Sequence, residues 1–164
     1  MSNSTPELYG TMKDQFKGLI DGIDNFVTNA SGLAALIFNS LEDINWAGFY
    51  FIDRGKLLVG PYQGKVACVE IDLGKGVCGY AAVEKGTVIV DDVHLFEGHI
   101  ACDPASQSEI VVPIIVNDKV LGVLDIDAPV KARFTETDAK GLNELINMLV
   151  QGSYTEKMFN YLSG

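Results

Sequence analysis

Two apolar, β-branched runs, Glu109–Val116 and Lys119–Ile126, are separated only by Asn117-Asp118. A two-residue polar break between such runs specifies a β-hairpin. The second run ends in Asp125-Ile126-Asp127, so two carboxylates at i and i+2 share one face of a strand. The segment leading into the hairpin, from Gly98 to Ser108, is polar and carries Cys102, one of three cysteines in the chain. A thiol on a loop beside carboxylates at a strand end suits thiol redox chemistry on a small polar substrate.

The remaining elements arrange themselves around that hairpin. Leu8, Met12, Phe16 and Leu19/Ile20 recur near helical period, which predicts a helix over residues 6–20. Ile23, Phe26/Val27, Ala30, Leu33/Ala34, Ile37 and Leu41 give a second apolar stripe. Residues 44–53 alternate, with Trp46, Gly48 and Tyr50 on one face and Ala47, Phe49 and Phe51 on the other. The turn Asp53–Lys56 makes Leu57–Tyr62 a hairpin partner. Val66–Ile71, carrying Cys68, reads as a third strand. The glycine-rich Leu73–Gly79 reads as a loop that opens a short helix over Tyr80–Lys85, stopped by Gly86, with Cys78 near its start. Val88–Val90 is a short strand. A long polar loop, Asp91 to Ser106, follows with His94, His99 and Cys102; loops of that length in compact domains tend to be functional. Thr135 with Asp138 three residues on is an acidic variant of the capping box, and Leu142, Leu145, Ile146 and Leu149 continue a helix at i, i+3, i+4, i+7. The expected fold is α+β: about six antiparallel strands, terminal helices on one face, and loops plus a short helix on the other.

Composition narrows the function. The 164 residues, 1–164, favour a single domain with a core of its own. A net charge of −10 argues against a nucleic-acid surface, which clusters Lys and Arg. No apolar run approaches the roughly 18 residues of a membrane span, and Met1–Pro6 lacks the charged and apolar parts of a signal peptide. A cytoplasmic location is expected. An odd number of cysteines at irregular spacing there implies packed or reactive thiols, not a disulfide framework. Taken singly, each is more often a small buried hydrophobe, and Cys68, between Ala67 and Val69, fits that description best. Cys78 near a helix N-terminus is expected to have a lowered pKa, so local sequence recommends it as nucleophile as readily as Cys102. His94 and His99 invite a zinc reading, but no Cys or His pair has ligand spacing. Asp125 and Asp127 by default line the solvated face of an edge strand.

Taken together, NWAGFY (45–50), GPYQG (60–64), the C-x9-C pair Cys68 and Cys78, the HIACD loop (99–103), SEIVVP (108–113) and GVLDIDAP (122–129) resemble the free methionine-(R)-sulfoxide reductases, which are single-domain GAF proteins. The resemblance runs from about residue 7 to 150. It implies reduction of free methionine (R)-sulfoxide to methionine, with thioredoxin returning the enzyme to its reduced form, and makes a homodimer plausible. By match, Cys102 corresponds to the attacking cysteine, and Cys78 and Cys68 to cysteines that resolve or relay the oxidised state. Glu109, Asp125 and Asp127 correspond to the acidic residues of the substrate site, and Trp46 and Tyr50 to its aromatic wall. The competing expectation is a non-catalytic GAF sensor that binds a small ligand, resting on the fold alone.

The chemistry agrees with the resemblance. Sulfoxide reduction requires a thiolate at sulfur and a proton for the departing oxygen. A carboxylic acid kept neutral by burial or by other carboxylates can supply that proton. The sulfenic acid left on the enzyme condenses with a second thiol, and an external dithiol reduces the resulting disulfide. No organic cofactor or metal is expected. One expectation concerns register. If Val116 pairs with Lys119 in a regular ladder, Glu109 falls opposite Ile126 and points away from Asp125 and Asp127. A bulge between Glu109 and Val116, at Pro113, brings the three acids to one side.

Overall fold

The computed structural model describes residues 4–156 and residue 158, so the reading of Met1–Asn3 lies outside them. Four α-helices and six strands follow one another along the described residues. Helix α1 (Pro6–Leu19) begins where the Thr5 hydroxyl accepts the Leu8 N–H at 3.1 Å, with proline in the first turn. Helix α2 (Phe26–Ser40) is capped by Asn25 in the same way, through the Thr28 N–H at 2.9 Å. Strands β1 (Trp46–Asp53) and β2 (Lys56–Gly64) form a hairpin, and β3 (Glu70–Asp72) pairs with β2. Helix α3 (Gly76–Glu84) and the short β4 (Val88–Val90) lead to β5 (Ser108–Val116), β6 (Lys119–Ala128) and helix α4 (Glu136–Gln151). The strands make one antiparallel sheet in the order β3-β2-β1-β6-β5-β4.

The sheet divides its side chains as the alternation of β1 requires. Ala47, Phe49 and Phe51 enter the larger core with Ile110, Val112, Leu124 and Ile126, under α1, α2 and α4. Trp46 and Tyr50 enter a smaller cluster with Val111, Val123 and Ile71, covered by Val77, Cys78, Ala81 and Ala82 of α3. Terminal helices therefore cover one face, and the short helix with long loops covers the other, as expected. The second helix starts later than its stripe implied: Ile23 and Val27 are exposed, and Phe26, Ala30, Leu33 and Ile37 carry the buried face.

Three expectations are corrected. Val66–Ile71 is not a strand; pairing with β2 begins only at Glu70 opposite Leu58. Cys68 thus lies in the β2–β3 connection, not in the sheet. Helix α3 begins at Gly76, four residues before its expected start, because Gly76 and Gly79 are packing positions: a Cβ at Gly79 would meet the Asp72 carbonyl oxygen. Finally, β6 is an interior strand, so Asp125 is buried and not on a solvated edge.

Asp138 ties the two ends of the helical layer together. It is fully buried, accepts the Tyr9 hydroxyl at 2.8 Å and the Thr135 N–H at 2.9 Å, and lies 3.5 Å from Arg133 Nη1. Arg133 in turn donates to Ser4 Oγ at 3.1 Å and to the Glu42 carbonyl at 2.8 Å. Removing one member of such a pair strands a buried charge. Asp138→Ala is expected to lose about 3–5 kcal/mol of stability, read as a shift in the urea midpoint at constant slope.

Candidate active site

The β5–β6 hairpin builds one wall of a cavity. Asn117 and Asp118 both have positive φ, 52° and 62°, the backbone of a two-residue primed turn. Val116 pairs with Lys119 and Ile115 with Val120, but Ile114 pairs with Gly122. One residue, Leu121, is therefore extruded from β6. From there the ladder is regular to Glu109 opposite Asp127, with Val111 opposite Asp125. The expected irregularity exists and places the three acids on one face. Its site differs: Pro113 pairs in register with Val123, and the extra residue belongs to the other strand. Gly122 follows the bulge because a Cβ there would run into the Tyr50 carbonyl oxygen.

Trp46 and Tyr50 stand on the same face of β1, their rings 5.9 Å apart and nearly parallel. Tyr62 of β2 backs the wall, stacked on Trp46 at 5.2 Å. The register sets Tyr62 beside Gly48, where a Cβ would run into the Tyr62 Cβ. Both wall residues use their polar ends on the connection that carries Cys68. The Trp46 indole N–H donates to the Lys65 carbonyl at 3.1 Å, and the Tyr50 hydroxyl donates to the Cys68 carbonyl at 2.9 Å.

The β4–β5 connection closes the cavity from the opposite edge of the sheet. Asp103 holds it through the Ala105 N–H at 2.9 Å and the Asn45 amide at 3.3 Å. This places Cys102 in the cavity lining with Glu109, Asp125 and Asp127. Cys102 is joined by a disulfide to Cys68, Cα to Cα 5.4 Å. The thiol that sequence made a packing residue is the bonded one. Cys78 is the packed one: 3 % exposed, free, and in the first turn of α3.

Acidic groups are concentrated here, and the cation among the described residues of the cavity lining, Lys65, is exposed. Burial, reinforced by Asp125 and Asp127, pushes the Glu109 carboxyl well above its usual range. Burial, with Asp125 and Asp103, does the same to Asp127. Asp125 is also raised by burial, but Glu109 and the Cys78 thiol face it as proton donors and offset part of that. Asp125 is thus the member that most readily keeps a negative charge, and its Oδ1 is buried without a hydrogen-bond partner. The Cys78 thiol is pushed up, first by burial and then by the carboxylates. This corrects the expected lowering: an N-terminal helix position favours thiolate by a fraction of a kcal/mol to about 2, and a buried site facing three acids outweighs it. His99 Nε2 lies 3.8 Å from Glu109 Oε2, and burial lowers the imidazole's pKa.

Cys78 Sγ, Glu109 and Asp125 present ligand atoms all within 4.8 Å of one another, so these three could hold a metal ion. Their spacing in the chain gave no sign of it, since α3, β5 and β6 contribute one each. His94 takes no part: it is exposed and bonds Asp92 at 3.0 Å. An arrangement of buried acids with raised pKa values, an aromatic wall and a cysteine sulfur held in a disulfide can seat a small ammonium compound and hand a proton to an atom leaving it.

Comparison with known proteins gives the same picture. A family model for the GAF domain matches residues 28–150. The free methionine-R-sulfoxide reductase of Escherichia coli (strain K12) is 46% identical over 143 residues, covering 87% of each chain. That of Saccharomyces cerevisiae is 49% identical over 142 residues, covering 82% of this chain and 79% of the yeast protein. Among solved structures, the fRMsr of Staphylococcus aureus in its reduced form is 44% identical, with a TM-score of 0.88, covering 94% of this chain and all of its own. The Neisseria meningitidis free methionine-R-sulfoxide reductase in complex with its substrate is 36% identical, with a TM-score of 0.86, covering 93% of both chains.

Proposed function

The chain belongs to the GAF-domain family of free methionine-R-sulfoxide reductases, and from that premise we propose that it reduces free L-methionine (R)-sulfoxide to L-methionine. One observation carries the reading. The cavity lined by Trp46, Tyr50, Glu109, Asp125 and Asp127 also takes in Cys102, whose sulfur is bonded to Cys68. Acid cluster, aromatic wall and redox pair are one site.

The steps follow from the groups present. Asp125, whose Oδ1 has no hydrogen-bond partner, holds the substrate ammonium together with Asp127. Trp46 and Tyr50 take the methylene and methyl groups, since aromatic faces favour soft sulfur neighbours. The Cys102 thiolate attacks the sulfoxide sulfur while Glu109, whose carboxyl is pushed up by burial and the neighbouring acids, gives its proton to the oxygen. The oxygen passes to Cys102 as sulfenic acid, and methionine leaves as the thioether. Cys68 supplies the second thiol: its sulfur displaces the hydroxyl of the sulfenic acid, water departs, and the disulfide forms. Thioredoxin then reduces it by thiol–disulfide exchange, as suits the cytoplasm. Cys102 faces the cavity and Cys68 does not line it, which supports this division of labour. The buried, protonated Cys78 suits a floor of the site that donates to Glu109 Oε1 at 4.0 Å, and a relay role would require it to be reached by movement.

A coupled assay decides the matter. With thioredoxin, its reductase and NADPH, the R epimer of the free amino acid is expected to drive NADPH consumption and the S epimer is not. Consumption with neither epimer rejects the reading.

A further inference from the structure

The connection that carries Cys68 is held in an unusual way. Its apolar residues anchor it only in part: Ala67 and Cys68 pack against the smaller cluster, whereas Val66 and Val69 are 85% and 66% exposed. It belongs to no strand, and it meets β2 through one bond, from the Val59 N–H to the Val69 carbonyl at 3.0 Å. The other ties come from the sheet face below. They are the Trp46 indole N–H to the Lys65 carbonyl at 3.1 Å and the Tyr50 hydroxyl to the Cys68 carbonyl at 2.9 Å. Tyr50 is 2% exposed and locked by packing, so its hydroxyl is a fixed point on β1. The fixed point grips the residue whose sulfur must meet Cys102.

We propose that Tyr50 is a positioning residue for Cys68: its hydroxyl, bonded to the Cys68 carbonyl, holds the β2–β3 connection so that the Cys68 thiol waits beside Cys102. This rests on the reductase reading for its purpose, not for its physics. A thiol held next to its partner closes a disulfide with a higher effective concentration than one on a free loop. The wall residue therefore serves two steps. Its ring faces the cavity, and its oxygen governs the backbone of the cysteine that ends the sulfenic acid's life. A sulfenic acid left waiting is exposed to further oxidation to the sulfinic state, so the tether protects the enzyme from its own intermediate.

The test is a redox titration of the Cys68–Cys102 couple in glutathione buffers, with no sulfoxide present. Tyr50→Phe keeps the ring and removes the hydroxyl. An ordinary hydrogen bond is worth about fivefold in an equilibrium constant, so the disulfide is expected to become about fivefold easier to reduce, roughly 20 mV on the two-electron scale. Tyr9→Phe is the control for general loosening. It removes a buried phenol hydroxyl on the opposite side of the sheet, bonded to Asp138, and is expected to leave the potential unchanged. Equal potentials for Tyr50→Phe and the parent protein overturn the proposal, and so does an equal shift in Tyr9→Phe. In turnover, trapping with dimedone is expected to capture more sulfenic acid per methionine formed in Tyr50→Phe than in the parent; an unchanged ratio also overturns it. Because the titration needs no substrate, the two ideas fail separately. A shifted potential without sulfoxide turnover keeps the tether and removes the reductase reading, and turnover with an unshifted potential does the reverse.

Discussion

Cys102→Ser is expected to release no methionine, even in the first turnover, whereas Cys68→Ser is expected to release about one equivalent per chain and then stop. The contrast follows from the order of bond making. The attacking sulfur must exist before any oxygen can move, so its loss returns the rate to the uncatalysed background; losing a triad-type nucleophile elsewhere costs about 10⁶-fold. The second thiol acts only after methionine has left. Its absence leaves a sulfenic acid that thioredoxin cannot reach through the usual disulfide. Quenched-flow measurement of methionine without reductant separates the two variants. A full burst from Cys102→Ser would sink the assignment. So would Cys78→Ser behaving as Cys102→Ser is expected to, since Cys78 is buried and held protonated.

Glu109→Gln is expected to lower the turnover rate by about 10²–10⁴, the usual worth of a positioned proton donor. It is also expected to raise the melting temperature. The sign follows from linkage. Burial and the neighbouring acids raise the Glu109 pKa in the folded protein above its unfolded value. The folded state therefore binds more protons than the unfolded one between those values, and stability falls as pH rises through that window. A neutral amide removes the cost while keeping the size. The gain is expected at neutral pH and absent below the unfolded carboxylate pKa, near 4.5. About 1 kcal/mol corresponds to roughly 2–4 °C for a chain of this size. In the proposed mechanism the same proton is the catalytic one, so activity of the parent protein is expected to fall on the alkaline side as Glu109 ionises. Calorimetry at pH 4 and pH 7, beside a pH–rate profile, checks both halves. A Glu109→Gln protein less stable than the parent at pH 7 would contradict the electrostatic account.

Much of this site was legible in the chain because it rests on local rules. The Asn117-Asp118 turn requires residues tolerant of positive φ, and both have it. The alternation of β1 sends Trp46 and Tyr50 to one side and Phe49 to the other whatever the tertiary partners do. The clash between a regular ladder and three converging acids was enough to demand a bulge. Its position was not legible: Pro113 is a local signal, but Leu121 was extruded where Gly122 must pass the Tyr50 carbonyl, a contact made by a strand 70 residues away in the chain. Cys68 misled for the same reason. Val66-Ala67-Cys68-Val69 has strand composition, but no partner strand is offered before Glu70. Cys78 misled because helix position is local and burial is not. The pairing of Cys68 with Cys102 joins connections from the two sides of the sheet, and nothing in their spacing announces it.

In the proposed cycle that cross-link changes the chain's topology at every turnover. Oxidised, the polypeptide contains a covalent ring closed across 34 positions; reduced, it is an open string. Closing a ring of that size removes denatured-state freedom worth about 3–4 kcal/mol. An enzyme built this way is most resistant to heat when its electron donor is scarcest, so the oxidising conditions that idle the catalyst also brace it until reducing power returns.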